Sequence, residues 1–231
     1  MIDLPHLDLA QHLRGVARYW DAAADRYLAL YRDELAAKPY DREILDAFAA
    51  RIGAGGRVCD AGCGPCGHVA AHLASRGLEV LGVDLSPRCV ALARVEHPAL
   101  RFEVMDMGAL ALEDGALDGV IACYAFHYQP KRTLPSVVRE LGRVLRPGGQ
   151  LLIVAKEGAG ERWIDDPMGG ATQVFWAAFT APELESLAAE NGFRVDGSAA
   201  RDPRAGEIAA RRLYVAATKS SATHAPRATP P

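Results

Sequence analysis

The spacing of hydrophobic and polar positions changes partway along the chain. Over residues 7–35 apolar side chains recur at helical intervals, among them Leu9, Leu13, Val16, Trp20, Ala24, Tyr27, Leu28 and Tyr31. That spacing predicts a long amphipathic helix. A second stripe of Ile44, Leu45, Phe48 and Ile52 follows Pro39, with Asp41 as its expected N-cap, and stops at Gly53-Ala54-Gly55-Gly56. From Arg57 short apolar runs alternate with helical stretches, the pattern of a parallel sheet covered on both faces. Strands are expected at 58–61, 79–83, 101–105, 117–122 and 150–155. Helices are expected at 67–76, 87–95 and 131–145, the last stopped by Arg146-Pro147-Gly148-Gly149. The reading is five βα units in order.

Residues 156–180 break this pattern. They hold many glycines and acids together with Trp163, Phe175 and Trp176 and show no clean period, so a partly ordered lid is expected. A helix at 181–191 and strands at 193–198 and 211–218 follow. Residues 219–231 are rich in Ala, Pro, Thr and Ser, a composition that predicts disorder. The expected organisation is a helical cap at 1–56, an α/β core at 57–218 that carries the lid, and a disordered tail.

Composition narrows the class. At 231 residues the chain is long enough to bury a full core. Half of its residues are hydrophobic and 24% are charged, the balance of a globular enzyme rather than of a disordered or fibrous protein. The formal net charge is -3 and the basic residues are scattered among acids, which disfavours a nucleic-acid partner. No apolar run approaches a membrane span, and Met1-Ile2-Asp3-Leu4-Pro5 lacks the basic start of a signal peptide, so a cytoplasmic protein is expected. Five cysteines, with Cys59, Cys63 and Cys66 in one segment, read as reduced thiols rather than a disulfide framework.

The candidate chemistry gathers at the ends of the first strands. Gly62, Gly64 and Gly67 spell G-x-G-x-x-G after a strand and at the mouth of a helix, where backbone amides approach a ligand unobstructed by Cβ. Alone, this spacing also describes a tight turn with no ligand. The second strand ends in Gly82-Val83-Asp84-Leu85-Ser86, which sets the Asp84 carboxylate beside that turn to accept from ribose hydroxyls. Capping of the next helix is the plainer alternative. Asp106, just past the third strand, is either a third polar group on the same ligand-binding edge or a solvated loop acid. A dinucleotide oxidoreductase would share these features. Asp60 argues against it: a carboxylate before the turn repels a pyrophosphate, whereas S-adenosylmethionine carries a sulfonium and an ammonium and no phosphate.

At these residues the sequence resembles the class I S-adenosylmethionine-dependent methyltransferases, particularly bacterial ones with small-molecule substrates. The likeness runs from about Tyr19 to Lys219. It rests on Val58-Cys59-Asp60-Ala61-Gly62-Cys63-Gly64-Pro65, Leu81-Gly82-Val83-Asp84-Leu85-Ser86-Pro87 and Phe102-Glu103-Val104-Met105-Asp106-Met107. Leu117-Asp118-Gly119-Val120-Ile121-Ala122-Cys123-Tyr124 and Leu145-Arg146-Pro147-Gly148-Gly149 complete it. The resemblance implies that Gly62 and Gly64 line the methionine part of S-adenosyl-L-methionine, that Asp84 holds its ribose, and that Asp106 with Met107 flanks the adenine. Cys63, Leu85, Ser86, Cys123 and Tyr124 join the expected cofactor-binding set. It also implies a Rossmann-like, doubly wound α/β fold whose seven-stranded sheet is mostly parallel with an antiparallel last strand, a role for residues 211–218. The expected partner is a small-molecule methyl acceptor, with O-, N- or C-methylation open. An NAD-type oxidoreductase and a non-catalytic S-adenosylmethionine-binding protein are the alternatives.

The turn departs from the family at Cys66, where such enzymes usually show Gly. Cys63-Gly64-Pro65-Cys66 therefore also reads as a redox dithiol, a reading that accounts for neither Asp84 nor Asp106 nor the Pro147-Gly148-Gly149 turn. Cys63, Cys66, His68 and His72 suggest a zinc set on paper, but ordinary polar helix residues explain the two histidines more simply, and no metal is expected. Methyl transfer is an in-line displacement that depends mainly on alignment and exclusion of water. For an acceptor that must lose a proton, His127 is the candidate general base, the alternative being a wall of the pocket. Tyr19 and Tyr27 are expected to roof the cofactor, and Lys38 either to pair with its carboxylate or to sit in solvent. Trp163, Phe175, Trp176, Arg201, Glu207 and Arg211 are further pocket candidates, in a monomer or a homodimer.

Overall fold

Asp8 opens the first helix: its carboxylate accepts from the Gln11 amide at 3.1 Å, and α1 runs over Leu9–Tyr31 with Val16, Ala23, Ala24 and Leu28 buried. These observations come from a computed structural model that describes residues 8–168, 170, 172–205 and 207–221. A 3-10 turn at Glu34–Ala37 leads into α2, Pro39–Ile52. Pro39 occupies the first helical position, where its missing amide costs nothing, so Lys38 is the N-cap. Asp41, expected to be that cap, instead lies buried within the first turn and accepts from the Tyr214 hydroxyl at 2.9 Å.

Beyond α2 the chain alternates β1 (Arg57–Ala61), α3 (His68–Ser75), β2 (Glu79–Asp84), α4 (Pro87–Glu96), β3 (Arg101–Val104), β4 (Leu117–Cys123), α5 (Leu134–Val144) and β5 (Leu145–Lys156). A hairpin of β6 (Glu161–Asp165) and β7 (Gln173–Ala177) follows, then α6 (Ala181–Glu190), β8 (Phe193–Arg201) and β9 (Arg212–Lys219). The main sheet has the order β3-β2-β1-β4-β5-β9-β8. Strands β1 to β5 are parallel, and β9 runs antiparallel to both β5 and β8. Both faces are covered, which is why β4 and β5 read as continuous apolar runs. Val120, Ala122 and Ile153 pack among residues of α5 and α6, whereas Ile121, Leu152 and Val154 pack among residues of α2 and α3.

Three expectations need correction. The third βα unit has no helix, because residues 105–116 are built from turn chemistry: the Asp106 carboxylate takes the Gly108 amide at 2.8 Å, and Gly115 has φ 68. The Arg146-Pro147-Gly148-Gly149 stop lies within β5, where the pairing with β4 shifts register between Leu117 and Gly119 around Gly148 at φ 77. The stretch expected as a partly ordered lid contains the β6–β7 hairpin, held by the cross-strand pair Trp163 and Phe175 with ring centroids 5.9 Å apart. Of the expected disordered tail, Lys219 closes β9, and residues 222–231 lie outside the described residues. No helix among the described residues is long and apolar enough to cross a membrane.

Gly119 decides how closely α2 approaches β4. A Cβ there would stand 2.4 Å from Ile52 Cδ1 and 2.9 Å from Phe48 Cζ. Gly119→Val is therefore expected to lower the unfolding free energy by about 1–3 kcal/mol through overpacking. The check is the denaturant midpoint; an unchanged midpoint would mean that α2 yields without cost.

Candidate active site

Strand order reverses between β1 and β4, so a crevice opens beyond their carboxyl ends. The turn after β1 forms its floor. The Gly62 and Cys63 amides both donate to the Val83 carbonyl, at 2.8 and 3.0 Å. Gly62 has φ 85, and a Cβ on it would lie 2.5 Å from Ala125 Cβ, so no other residue fits there without displacing the chain. The Gly64 amide donates to Asp84 Oδ2 at 3.0 Å and the Ser86 amide to Oδ1 at 2.9 Å, which aims the carboxylate at the crevice. Burial pushes the Asp84 carboxyl up to about 6, against the pull of those two amides. Capping of α4 falls to Ser86, whose hydroxyl accepts from the Cys89 amide at 3.0 Å and donates to Asp21 at 2.6 Å.

The crevice widens into a pocket of about 330 Å³, within the range of small-molecule sites. Its floor includes Gly62, Gly64, Asp84, Leu85 and Met107, and α1 supplies a roof of Val16, Trp20, Tyr27 and Tyr31. The roof is an aromatic ladder, with Tyr27 5.2 Å from Trp20 and 4.6 Å from Tyr31 between ring centroids. Cys123, Tyr124, Tyr128 and Trp176 wall the pocket, and Glu34, Lys38, Lys156, Glu207 and Arg212 form a charged end.

Tyr27, Lys38, Gly62, Gly64, Asp84, Leu85, Met107, Cys123 and Tyr124 are thus brought to one pocket, and Trp176 and Glu207 join them. Other expected residues do not line it. The Tyr19 hydroxyl donates to Asp166 at 2.7 Å, tying α1 to the hairpin loop, and Asp166 also takes Arg26 at 3.0 Å. Asp60 lies 1% exposed beneath the turn, and among the described residues neither carboxylate oxygen has a partner in full hydrogen-bonding geometry, the Ala70 amide being a weaker neighbour. Burial pushes its carboxyl up to about 7, only partly offset by the Ala70 amide. Asp106 is committed to its own turn, Ser86 to its cap, and Cys63 turns away from the crevice. Arg201 binds Asp41 and Glu207, Arg211 lies half exposed beside Glu157 and Asp202, and Trp163 and Phe175 pack in the core.

The dithiol and zinc readings find no matching geometry. Cys63 and Cys66 are both free thiols, and burial pushes both up, Cys66 to about 12, opposite to what disulfide exchange requires. His72 Nε2 lies 2.6 Å from Asp46, and no cluster suited to a metal occurs among the described residues. Among the pocket residues that sequence reasoning missed are Glu34, Tyr128, Lys156 and Arg212. Lys156 had a signal: it is the charged residue that ends the apolar run Leu151-Leu152-Ile153-Val154-Ala155 at the carboxyl edge. Glu34 stands one helical turn before Lys38, with which it pairs.

Residues 58–149 match the family described as methyltransferase domain. The chain is 35% identical over 151 residues to the demethylmenaquinone methyltransferase of Beutenbergia cavernae, covering 64% of this chain and 58% of that protein. It is 38% identical over 112 residues to the malonyl-(acyl-carrier protein) O-methyltransferase of Enterobacter lignolyticus, covering 48% and 43%. The matches thus span less than two thirds of either relative. Among solved structures the fold is similar to the Burkholderia thailandensis 1,6-didemethyltoxoflavin-N1-methyltransferase with bound 1,6-didemethyltoxoflavin and S-adenosylhomocysteine. The TM-score is 0.74 at 24% identity, over 95% of this chain and 93% of that one.

His127 has no geometry for a general base. Its ring is fully buried and lies outside the pocket lining. Nδ1 donates to the Ala177 carbonyl at 2.6 Å, and Nε2 accepts from the Lys156 amide at 2.9 Å, so neither nitrogen is left for substrate. The ring also stacks on Trp176 at 4.1 Å. Burial pulls its pKa down to about 3, outweighing the Ala177 carbonyl, which raises it. Because the native pKa lies below the unfolded value near 6.5, the unfolded chain binds more protons between those limits, and stability falls as pH drops through that window. The His127 contribution lost between pH 7 and pH 5 is expected to be about 2 kcal/mol. His127→Phe should keep the stack and remove that difference when unfolding is measured at both pH values. A variant as pH-sensitive as the parent would refute the strut.

Proposed function

We propose that the chain transfers the methyl group of S-adenosylmethionine to a small molecule bound beneath α1. The observation that carries this reading is the Asp84 carboxylate, held on the pocket floor by two backbone amides and facing open space beside the Gly62–Gly64 turn. Such a carboxylate suits the paired hydroxyls of a ribose. The unpartnered Asp60 behind the turn favours a cationic ligand: a pyrophosphate would add to the cost of that buried acid, whereas a sulfonium or ammonium relieves it. This supports S-adenosylmethionine over a dinucleotide.

When bound, the cofactor supplies a methyl group activated on a sulfonium. The chain aligns and shields. Asp84 accepts from the ribose, Leu85 and Met107 offer apolar surface to the adenine, and Tyr27 and Trp20 cover the floor against water. The cap of α1 and α2 and the β6–β7 hairpin, tied together by Tyr19, Arg26 and Asp166, form the enclosure. The named relatives methylate demethylmenaquinone and a malonyl-carrier protein, and a didemethyltoxoflavin enzyme shares the fold; a small acceptor accords with the pocket size. We take the protein to act in the cytoplasm as a monomer or homodimer, without a nucleic-acid partner, in keeping with its net charge of -3.

Asp84→Ala is expected to weaken S-adenosylmethionine binding by about 1–3 kcal/mol in calorimetry, through loss of charge-assisted hydrogen bonds. The wild-type affinity should fall as pH drops through about 6, where Asp84 takes up a proton and ceases to be a charged acceptor. Unchanged affinity in a folded Asp84→Ala protein would remove the ribose assignment. Label from deuterated methyl cofactor appearing in a metabolite extract separates an enzyme from a binding protein.

A further inference from the structure

The charged end of the pocket is balanced except for one residue. Lys38 pairs with Glu34 and, at 3.1 Å, with Glu207. Glu207 also accepts from the two terminal nitrogens of Arg201, at 2.7 and 2.8 Å, and stands 3.5 Å from Arg212. Lys156 has no carboxylate partner among the described residues. Its ammonium lies 5.0 Å from the Trp176 ring centroid and 5.5 Å from that of Tyr124, both pocket walls. Its backbone is pinned, since its amide donates to the buried His127 ring and its register partner across the sheet is Arg212.

Tyr124 supplies an independent observation. It alone among the described non-glycine residues has positive φ, at 58, a strained conformation held by the hydrogen bond its amide donates to the Val154 carbonyl at 2.8 Å. Its hydroxyl is buried without a partner among the described residues. A cation against the Trp176 and Tyr124 rings, with an unsatisfied hydroxyl on the second of them, describes a receptor for a flat group that bears negative charge.

Resting on the S-adenosylmethionine reading, we propose that Lys156 binds the methyl acceptor as its oxyanion, a phenolate or enolate lying against Trp176, with the Tyr124 hydroxyl donating to the same oxygen. The acceptor oxygen arrives deprotonated. One of its electron pairs forms the O–C bond to the methyl carbon as the C–S bond breaks, and that bond's pair stays on sulfur. Lys156 keeps its proton throughout. The lysine also gains, because burial, followed by Arg212, pulls its pKa down to about 8, with Lys38 acting in the same sense and Glu34 and Cys123 against it. An anion beside it restores the charged form.

A suitable probe is 4-nitrophenol, whose ionisation is visible by absorbance, added to protein saturated with S-adenosylhomocysteine. On wild type its ionisation midpoint should fall by about one pH unit on binding, equivalent to about tenfold tighter binding of the phenolate than of the phenol. Lys156→Met should abolish the shift and Lys156→Arg should retain it, with S-adenosylhomocysteine affinity unchanged in both; Lys156→Gln replaces the Met variant if that one fails to fold. An equal shift in the uncharged variant, or no 4-nitrophenol binding to the S-adenosylhomocysteine-loaded wild type, overturns the inference and leaves the cofactor reading intact. Failure of wild type to bind S-adenosylhomocysteine overturns the cofactor reading and this inference with it.

Discussion

The turn after β1 passes between the Val83 carbonyl and the Ala125 side chain with no room for a Cβ at Gly62. That close approach brings the carboxyl ends of β1, β2 and β4 together in one crevice. It sets Asp84 beside the Gly64 amide and brings Ala125, the first residue of the 3-10 turn Ala125–Tyr128, against the glycine. Tyr124 absorbs the consequence in its positive φ, and the turn after it presents Tyr128 to the pocket and His127 to the interior. One steric constraint thus distributes several side chains between site and core.

His127 then acts as a strut. Through its two ring nitrogens it joins the end of β4 to the end of β5 and to β7, three segments with no covalent reason to meet. The stack on Trp176 gives the pocket a fixed aromatic wall, and the hydrogen bond that Nε2 accepts from the Lys156 amide fixes where that lysine leaves the strand. A buried neutral imidazole suits this work because one nitrogen donates while the other accepts, which a protonated ring cannot do.

The electrostatics of the site follow from burial. Asp60 and Asp84 lie under and beside the turn with raised pKa values, and Lys156 lies across the pocket with a lowered one. Each departs in the direction that favours its neutral form, since the low-dielectric interior penalises the charge. Complementary ligand charge relieves that penalty, so affinity and orientation come from the same source. Glu207, by contrast, is held low by Arg201 and Lys38, and that network serves to anchor the loop before β9 over α2.

The sequence by itself determined the alternation of strands and helices, the glycine turn, and the Asp84 carboxylate beside it. These features depend on residues close in sequence: periodic burial sets the elements, and a strand-turn-helix step fixes its own backbone. Local chemistry misled where a tertiary partner intervened. Asp41 reads as a cap but is claimed by Tyr214, 173 residues away, and Tyr19 reads as cofactor roof but is claimed by Asp166, 147 residues away. His127 follows a strand end as a general base would, yet its ring is taken by Ala177, 50 residues on. Only the tertiary structure decided these, and only it brought Lys156, without a carboxylate partner among the described residues, to the wall that Trp176 and Tyr124 build. Which polar groups are satisfied, and which are left for a ligand, is settled by contacts between distant segments, and no spacing along the chain encodes them.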